Sequence, residues 1–222
     1  MLTEHFHNTK KDTGHYSNDL RYVLSLQNTI AAFEEIKTWE GYAKTPLHSL
    51  DSLASDIGVK NIYYKDESSR FGLGSFKALG GTYGVLKFIH HALKKEIGDE
   101  VSMKDIHAGK YSEQISKYTV TTATDGNHGR SVAFGAKLFG CKCQIYIHSE
   151  VSFGRQKAME DLEATVIRVS GNYDESLQIC IEDADKNNWY VISDTSYEGY
   201  TKYPRYIMAG YNVMAEEIID QI

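Results

Sequence analysis

The run Tyr118-Thr119-Val120-Thr121-Thr122-Ala123-Thr124-Asp125-Gly126-Asn127-His128-Gly129 decides the fold. Its first half is rich in β-branched residues, and Asp-Gly closes it, as expected for a strand over Tyr118–Thr124. Its second half opens an apolar-periodic segment that ends at Gly140, a helix over Asn127–Gly140. The same handover then repeats. Gln144–His148 reads as a strand leading to a helix over Gly154–Ala164. Thr165–Val169 reads as a strand leading to a helix over Asp174–Asn187, and Trp189–Ser193 as a last strand. Strands alternating with helices of about 10–15 residues require crossover connections and therefore a parallel sheet. Residues 118–194 are thus expected to form one α/β unit.

Upstream, residues 1–20 read as a loose arm. Ile30, Phe33 and Ile36 fall at helical spacing within Asn28–Glu40. Thr45-Pro46-Leu47 is a breaker, and Leu50–Gly58 a short helix closed by its glycine. Asn61–Lys65 reads as a strand and Asp66–Gly74 as a polar loop. Ser75 stands where it can cap a helix over Phe76–His91. Downstream, Asp194–Gly199 is a turn and Tyr206–Ile222 an amphipathic helix. Ile218, Ile219 and Ile222 leave that apolar face without a closing signal, so further sequence is expected beyond Ile222.

The 222 residues are 41% hydrophobic and carry a formal charge of −6. The first figure allows a core; the second argues against a nucleic-acid or anionic-membrane binder, which needs a basic face. No apolar stretch approaches the roughly 20 residues that span a bilayer, and Met1–Leu20 has no signal-peptide core. Three cysteines, Cys141, Cys143 and Cys180, read as free thiols of a reducing cytoplasm, with Cys141 and Cys143 expected on opposite faces of a strand. No paired spacing of Cys or His completes a metal site, so none is expected.

Two segments carry the chemistry. In Ser75-Phe76-Lys77-Ala78-Leu79-Gly80-Gly81 an amine lies between a small polar residue, an aromatic ring and a helix start. Gly72, Gly74, Gly80 and Gly81 permit close backbone approach to a ligand. A lysine held in this way can form an imine, although a surface lysine satisfies the same local pattern. Neither a dinucleotide fingerprint nor a phosphate-binding P-loop is completed here. In Thr124–Gly129, Asp125 can cap the helix that follows or serve as a base at the carboxyl end of a parallel strand, where open α/β sheets bind ligands. Asn127 and His128 read equally as turn or cap residues and as site residues. Asp194 follows the last strand and belongs on the same rim, as a turn former or as a second carboxylate. A reactive lysine, a helix N-terminus able to hold a carboxylate, and two acids together suggest a pyridoxal phosphate (PLP) enzyme acting on an amino acid.

Lys65-Asp66-Glu67 followed by Gly72-Leu73-Gly74-Ser75-Phe76-Lys77-Ala78-Leu79-Gly80-Gly81 resembles the cofactor-lysine segment of the fold-type II PLP enzymes. Most of that superfamily has Ser or Thr where this chain has Asp125. Thr124-Asp125-Gly126-Asn127-His128-Gly129-Arg130, with Asp194-Thr195 and Glu198-Gly199-Tyr200, is similar to the 2,3-diaminopropionate ammonia-lyases. The resemblance implies that Lys77 forms the imine with the cofactor, that Phe76 packs near its ring, and that Asn127 bonds its phenolic oxygen. It implies that the backbone over Thr124, Gly126 and His128 holds the substrate carboxylate. Asp125 and Asp194 would take the α-proton from opposite faces, serving D- and L-diaminopropionate, with pyruvate and ammonia as products. A serine or threonine dehydratase is the alternative enzyme, and an inactive truncated remnant the alternative to an enzyme. The resemblance further implies a homodimer and an α/β fold of two domains: a small domain over 83–199, and a large domain of which 1–82 and 200–222 are an incomplete part. Family members run to nearly twice this length. The loop binding the cofactor phosphate would lie beyond Ile222, and 1–82 and 200–222 would lack their packing partners.

Overall fold

The computed structural model describes residues 9, 10 and 14–222. Of the arm expected over 1–20, residues 1–8 and 11–13 lie outside the described residues, and a short helix α1 (Asn18–Val23) already begins within it. Helix α2 (Leu26–Ile36) follows, capped by the Ser25 hydroxyl. Strand β1 (Leu47–Ser49) pairs antiparallel with β2 (Tyr63–Lys65), with α3 (Asp51–Ile57) between them. The residues after Pro46 are therefore a strand and not merely a break, because β2 supplies a partner that local sequence does not reveal. A 3-10 turn (Glu67–Gly72) leads to α4 (Lys77–Ile97), which runs six residues past His91, where the periodicity ends. Two short helices absent from the sequence reading, α5 (Met103–His107) and α6 (Ser112–Ile115), join α4 to the sheet.

The regular unit matches its expectation. β3 (Thr119–Ala123), α7 (Asn127–Phe139), β4 (Lys142–Ile147), α8 (Phe153–Glu160), β5 (Thr165–Arg168), α9 (Tyr173–Asn187) and β6 (Tyr190–Val191) follow in order. The strands are all parallel in the order β5-β4-β3-β6. Side chains alternate between two covered faces. Val120 of β3 and Cys143, Ile145 and Ile147 of β4 join the main core with α4 and α7. Ala123 and Tyr146 join a smaller cluster with Cys180 of α9. A strand covered on both sides reads as an uninterrupted buried run, which is what β3 is. Cys141 and Cys143 do not face opposite ways: two residues apart on extended chain they share a side, Cys143 lying in the main core and Cys141 packed against it.

The segments on either side of the α/β unit pack on each other. Helix α10 (Lys202–Gln221) lies against α2 and α4. Gly80 and Gly210 let α4 and α10 touch backbone to backbone; a Cβ on Gly210 would lie 2.8 Å from Gly80 Cα. At the far end of α10, Glu217 accepts both arms of the Arg70 guanidinium, at 2.8 and 2.7 Å. Lys65 Nζ (2.8 Å), the Tyr42 hydroxyl (2.9 Å) and the Thr45 amide (3.3 Å) also donate to it. These segments therefore find partners within the chain. Among the described residues they also carry most of the exposed large apolar side chains, including Leu20, Leu26, Ile30, Ile57 and Ile219. Helix α4 runs unbroken through residues 82 and 83.

Candidate active site

The order β5-β4-β3-β6 places a topological switch beside β3: the chain leaves toward β4 and β5, then returns to β6 on the other side. Such sheets bind ligands beyond the carboxyl ends of the strands at that point. A cavity of about 310 Å³ lies there, lined among others by Lys77, Asp125, Asn127, His128, Arg155 and Asp194.

Lys77 is the first residue of α4. Phe76 takes the N-cap position without capping, and the Ser75 hydroxyl accepts the Lys77 amide at 3.2 Å. Ser75 thus supports the helix start from one residue earlier than a normal cap. The Lys77 ammonium pairs with Asp194 and lies 5.9 Å from the centre of the Tyr211 ring. Phe76 is not in the cavity wall; its ring meets Tyr211 edge-on at 5.0 Å.

Asp194 Oδ2 collects three neighbours: Lys77, the Tyr211 hydroxyl at 3.4 Å and His128 Nδ1 at 3.7 Å. Burial opposes its charge. The His128 ring, the Lys77 ammonium and the Tyr211 hydroxyl outweigh that and hold its carboxyl below the ordinary carboxylate range. His128 is itself buried and pushed below the usual histidine range by that burial, against the pull of Asp194 and the Ile192 carbonyl. It is therefore neutral near pH 7, and there Lys77 and Tyr211 keep Asp194 ionised. The His128 Nε2 bonds the Ile192 carbonyl at 2.8 Å and must carry the proton, since a carbonyl only accepts. Its Nδ1 is a bare acceptor, buried and without a hydrogen-bond partner among the described residues.

Asp125 does not cap α7. Gly126 holds the N-cap position, at φ +154°, with no side-chain cap. The cap contact comes from Thr124, whose buried hydroxyl accepts the amides of Gly126 (3.0 Å) and Gly129 (3.1 Å). This leaves the amides of Asn127 and His128 as the uncommitted donors of the helix N-terminus. A Cβ on Gly129 would lie 2.4 Å from Thr124 Cγ2, so a side chain there would push the cap away. Released from capping, the Asp125 carboxylate is largely exposed and meets His148 Nε2 at 3.1 Å. Asn127 is exposed in the wall.

Every acidic, basic and amide residue read from the sequence as a site residue is thus brought to one cavity, and Phe76 is not. Sequence reasoning missed His148, Arg155, Tyr173 and Tyr211. His148 was within reach, because it follows β4 on the same rim as Asp125 and Asp194. Arg155, Tyr173 and Tyr211 sit on helices whose facing depends on packing.

The residues present fit PLP: an amine that can form an imine, a buried acceptor awaiting a donor, and free amides at a helix start, around a space of small-ligand size. A family model described as pyridoxal-phosphate dependent enzyme matches residues 38–222. The diaminopropionate ammonia-lyase of Escherichia coli (strain K12) is 39% identical over 182 residues, 82% of this chain and 44% of that protein. A crystal structure of the Escherichia coli diaminopropionate ammonia lyase in apo form matches with a TM-score of 0.81 at 37% identity, over 90% of this chain and 53% of that one. A probable D-serine dehydratase of Rhizobium leguminosarum bv. trifolii is 26% identical over 199 residues, 86% of this chain and 43% of that protein. The chain spans about half the length of the curated relatives it matches.

Proposed function

We propose that this chain, which belongs to the family of pyridoxal-phosphate dependent enzymes, carries the cofactor-lysine part of a lyase that eliminates ammonia from 2,3-diaminopropionate. Both D- and L-substrates enter this reading, with pyruvate and ammonia as products. The observation that carries it is the convergence of Lys77, Asp194 and Asp125 on one cavity. Bound to Lys77, PLP would supply the electron sink that makes the substrate α-proton acidic.

The chain's own residues do the rest. Lys77 would hold the cofactor covalently and Asn127 would bond its phenolic oxygen; Phe76 would support the site from outside the wall, through its ring contact with Tyr211. The amides that Thr124 leaves free, on Asn127 and His128, receive the substrate carboxylate, with Gly126 permitting its approach. Asp194, kept ionised in a largely buried setting, takes the α-proton from one face; Asp125 takes it from the other. An amino group departs only once protonated, and a carboxylic acid suits that delivery. Water then converts the released enamine to pyruvate with a second ammonia. The same reading has the working enzyme as a cytoplasmic homodimer. Its small domain spans 83–199, and 1–82 and 200–222 belong to its large domain. In support, the three cysteines are free, and among the described residues no helix is long and apolar enough to cross a membrane.

A serine or threonine dehydratase is the second reading, favoured by the likeness to the D-serine dehydratase; Asp125 in place of a small hydroxyl speaks for the lyase. The test adds PLP to the chain and follows its visible absorbance and pyruvate release. The expected result is a lysine-bound absorbance lost in Lys77→Ala, with faster release from diaminopropionate than from serine. Equal rates favour the dehydratase. Absorbance without pyruvate from either substrate assigns this chain to the inactive class.

A further inference from the structure

The corner between β4 and α8 grips the Asp125 turn from one side. His148 directly follows β4, and its side chain is only 17% exposed. Its backbone carbonyl is held by Arg168 at 3.3 Å, which fixes the corner. The Glu150 amide donates to His148 Nδ1 at 3.3 Å. An amide N–H can only donate, so Nδ1 is the acceptor, and the proton of the neutral ring sits on Nε2. That Nε2 faces Asp125 Oδ1 at 3.1 Å. From α8, the Arg155 guanidinium donates to the Asp125 carbonyl at 3.2 Å, and its Cδ would lie 3.2 Å from a Cβ on Gly126. The Asp125 carboxylate is 66% exposed, and no other described residue holds it by a hydrogen bond or ion pair.

We infer that His148 is a positioning residue for Asp125. It donates Nε2–H to Oδ1, stops the exposed carboxylate from turning, and leaves Oδ2 as the oxygen that takes a proton. The inference rests on the reading in which Asp125 and Asp194 serve opposite faces of the substrate. Asp194 is held by other groups, Lys77 and Tyr211. Loss of His148 therefore disables one base and spares the other. A purely structural role would lower turnover of both enantiomers together.

The experiment measures kcat and KM for D- and L-diaminopropionate separately in wild type, His148→Ala, His148→Gln and Asp125→Asn, with 15N NMR of the His148 ring. His148→Ala is expected to lower kcat for one enantiomer by about tenfold to a hundredfold, the scale of a misplaced reacting group. That enantiomer should be the one Asp125→Asn affects most, and His148→Gln, which keeps a donor, should recover part of the loss. The ring signal should show Nε2 protonated and should shift in Asp125→Asn. Equal losses for both enantiomers, no loss for either, or a proton on Nδ1 overturns the inference. A wild-type chain that turns over neither enantiomer counts against the lyase reading alone; the ring signals then decide the role of His148.

Discussion

The cluster of charge around Glu217 and the one around Asp194 are built to different rules. Around Glu217 the groups are sealed: Arg70 is 1% exposed and Glu217 fully buried. Each arm of the Arg70 guanidinium has a partner, including Glu67 at 2.8 Å from Nε and the Ala43 carbonyl at 3.0 Å from Nη1. Glu217 accepts from Arg70, Lys65, Tyr42 and the Thr45 amide. Around Asp194 the groups surround a space. The His128 Nδ1 is left bare, and the Lys77 side chain is a third exposed. A buried charge is tolerated only when fully paired. The first cluster meets that condition and joins the N-terminal segment to α10. The second leaves hydrogen-bonding capacity unused, at a cost a ligand can relieve. The perturbation of an ionisable group alone does not tell the two apart; completeness does.

The largest effect should come from the sealed cluster. Glu217→Ala strands the Arg70 and Lys65 charges and should cost about 3–5 kcal/mol, read as a shift of the urea unfolding midpoint. A cost below about 1 kcal/mol would break the comparison. The same cluster sets an acid limit. Burial opposes the Glu217 charge, but hydrogen bonds from Arg70 and Lys65 and the Arg70 charge prevail, pulling its carboxyl from 4.5 to about 2. A carboxyl depressed by folding contributes stability that is fully present above its unfolded value and fades as pH falls through the folded one. On the order of 3 kcal/mol should therefore disappear between pH 4.5 and pH 2. Unfolding curves across that window, compared with Glu217→Gln, isolate the share of this group.

Lys77 should behave oppositely. Its pair with Asp194 is a third exposed on the lysine side, so Lys77→Ala should change stability by about 1 kcal/mol or less while removing covalent PLP binding. A thermal melt and the PLP absorbance of one preparation give both readings.

How far each cluster could be read from the sequence follows from the same contrast. The open site was legible because it sits where strands end, and strand ends are marked by local signals: Thr124-Asp125-Gly126 after β3, Ser193-Asp194 after β6. The chemistry at Lys77 was marked by the glycines and the helix start around it. The sealed cluster was not legible, because Arg70 and Glu217 are 147 residues apart and each resembles an ordinary surface charge on its own segment. Whether Asp125 caps α7 stayed open for a related reason. Asp and Thr both suit a helix start, and only the close approach of Gly129 to Thr124 decides that Thr124 takes the amides. β1 and the full length of α4 escaped because a pairing partner in one case, and burial against α7 and α10 in the other, settle what propensity leaves open.

The smallest effect is the most specific to the open cluster. Burial holds His128 neutral in the fold, so protonation favours the unfolded chain. A histidine depressed by folding contributes stability that is present above its unfolded value of 6.5 and declines as pH drops below it. Asp194 works against that decline, since an imidazolium 3.7 Å away would pair with it. The fall below pH 6.5 should therefore be shallow in wild type and absent in its His128 share in His128→Asn. It should be steeper in Asp194→Asn, where the compensating charge is gone. Unfolding free energies at pH 7, 6 and 5 in the three proteins give the slopes. Parallel slopes in wild type and Asp194→Asn would mean that His128 and Asp194 do not act on each other, and the site would then be two separate groups beside one cavity.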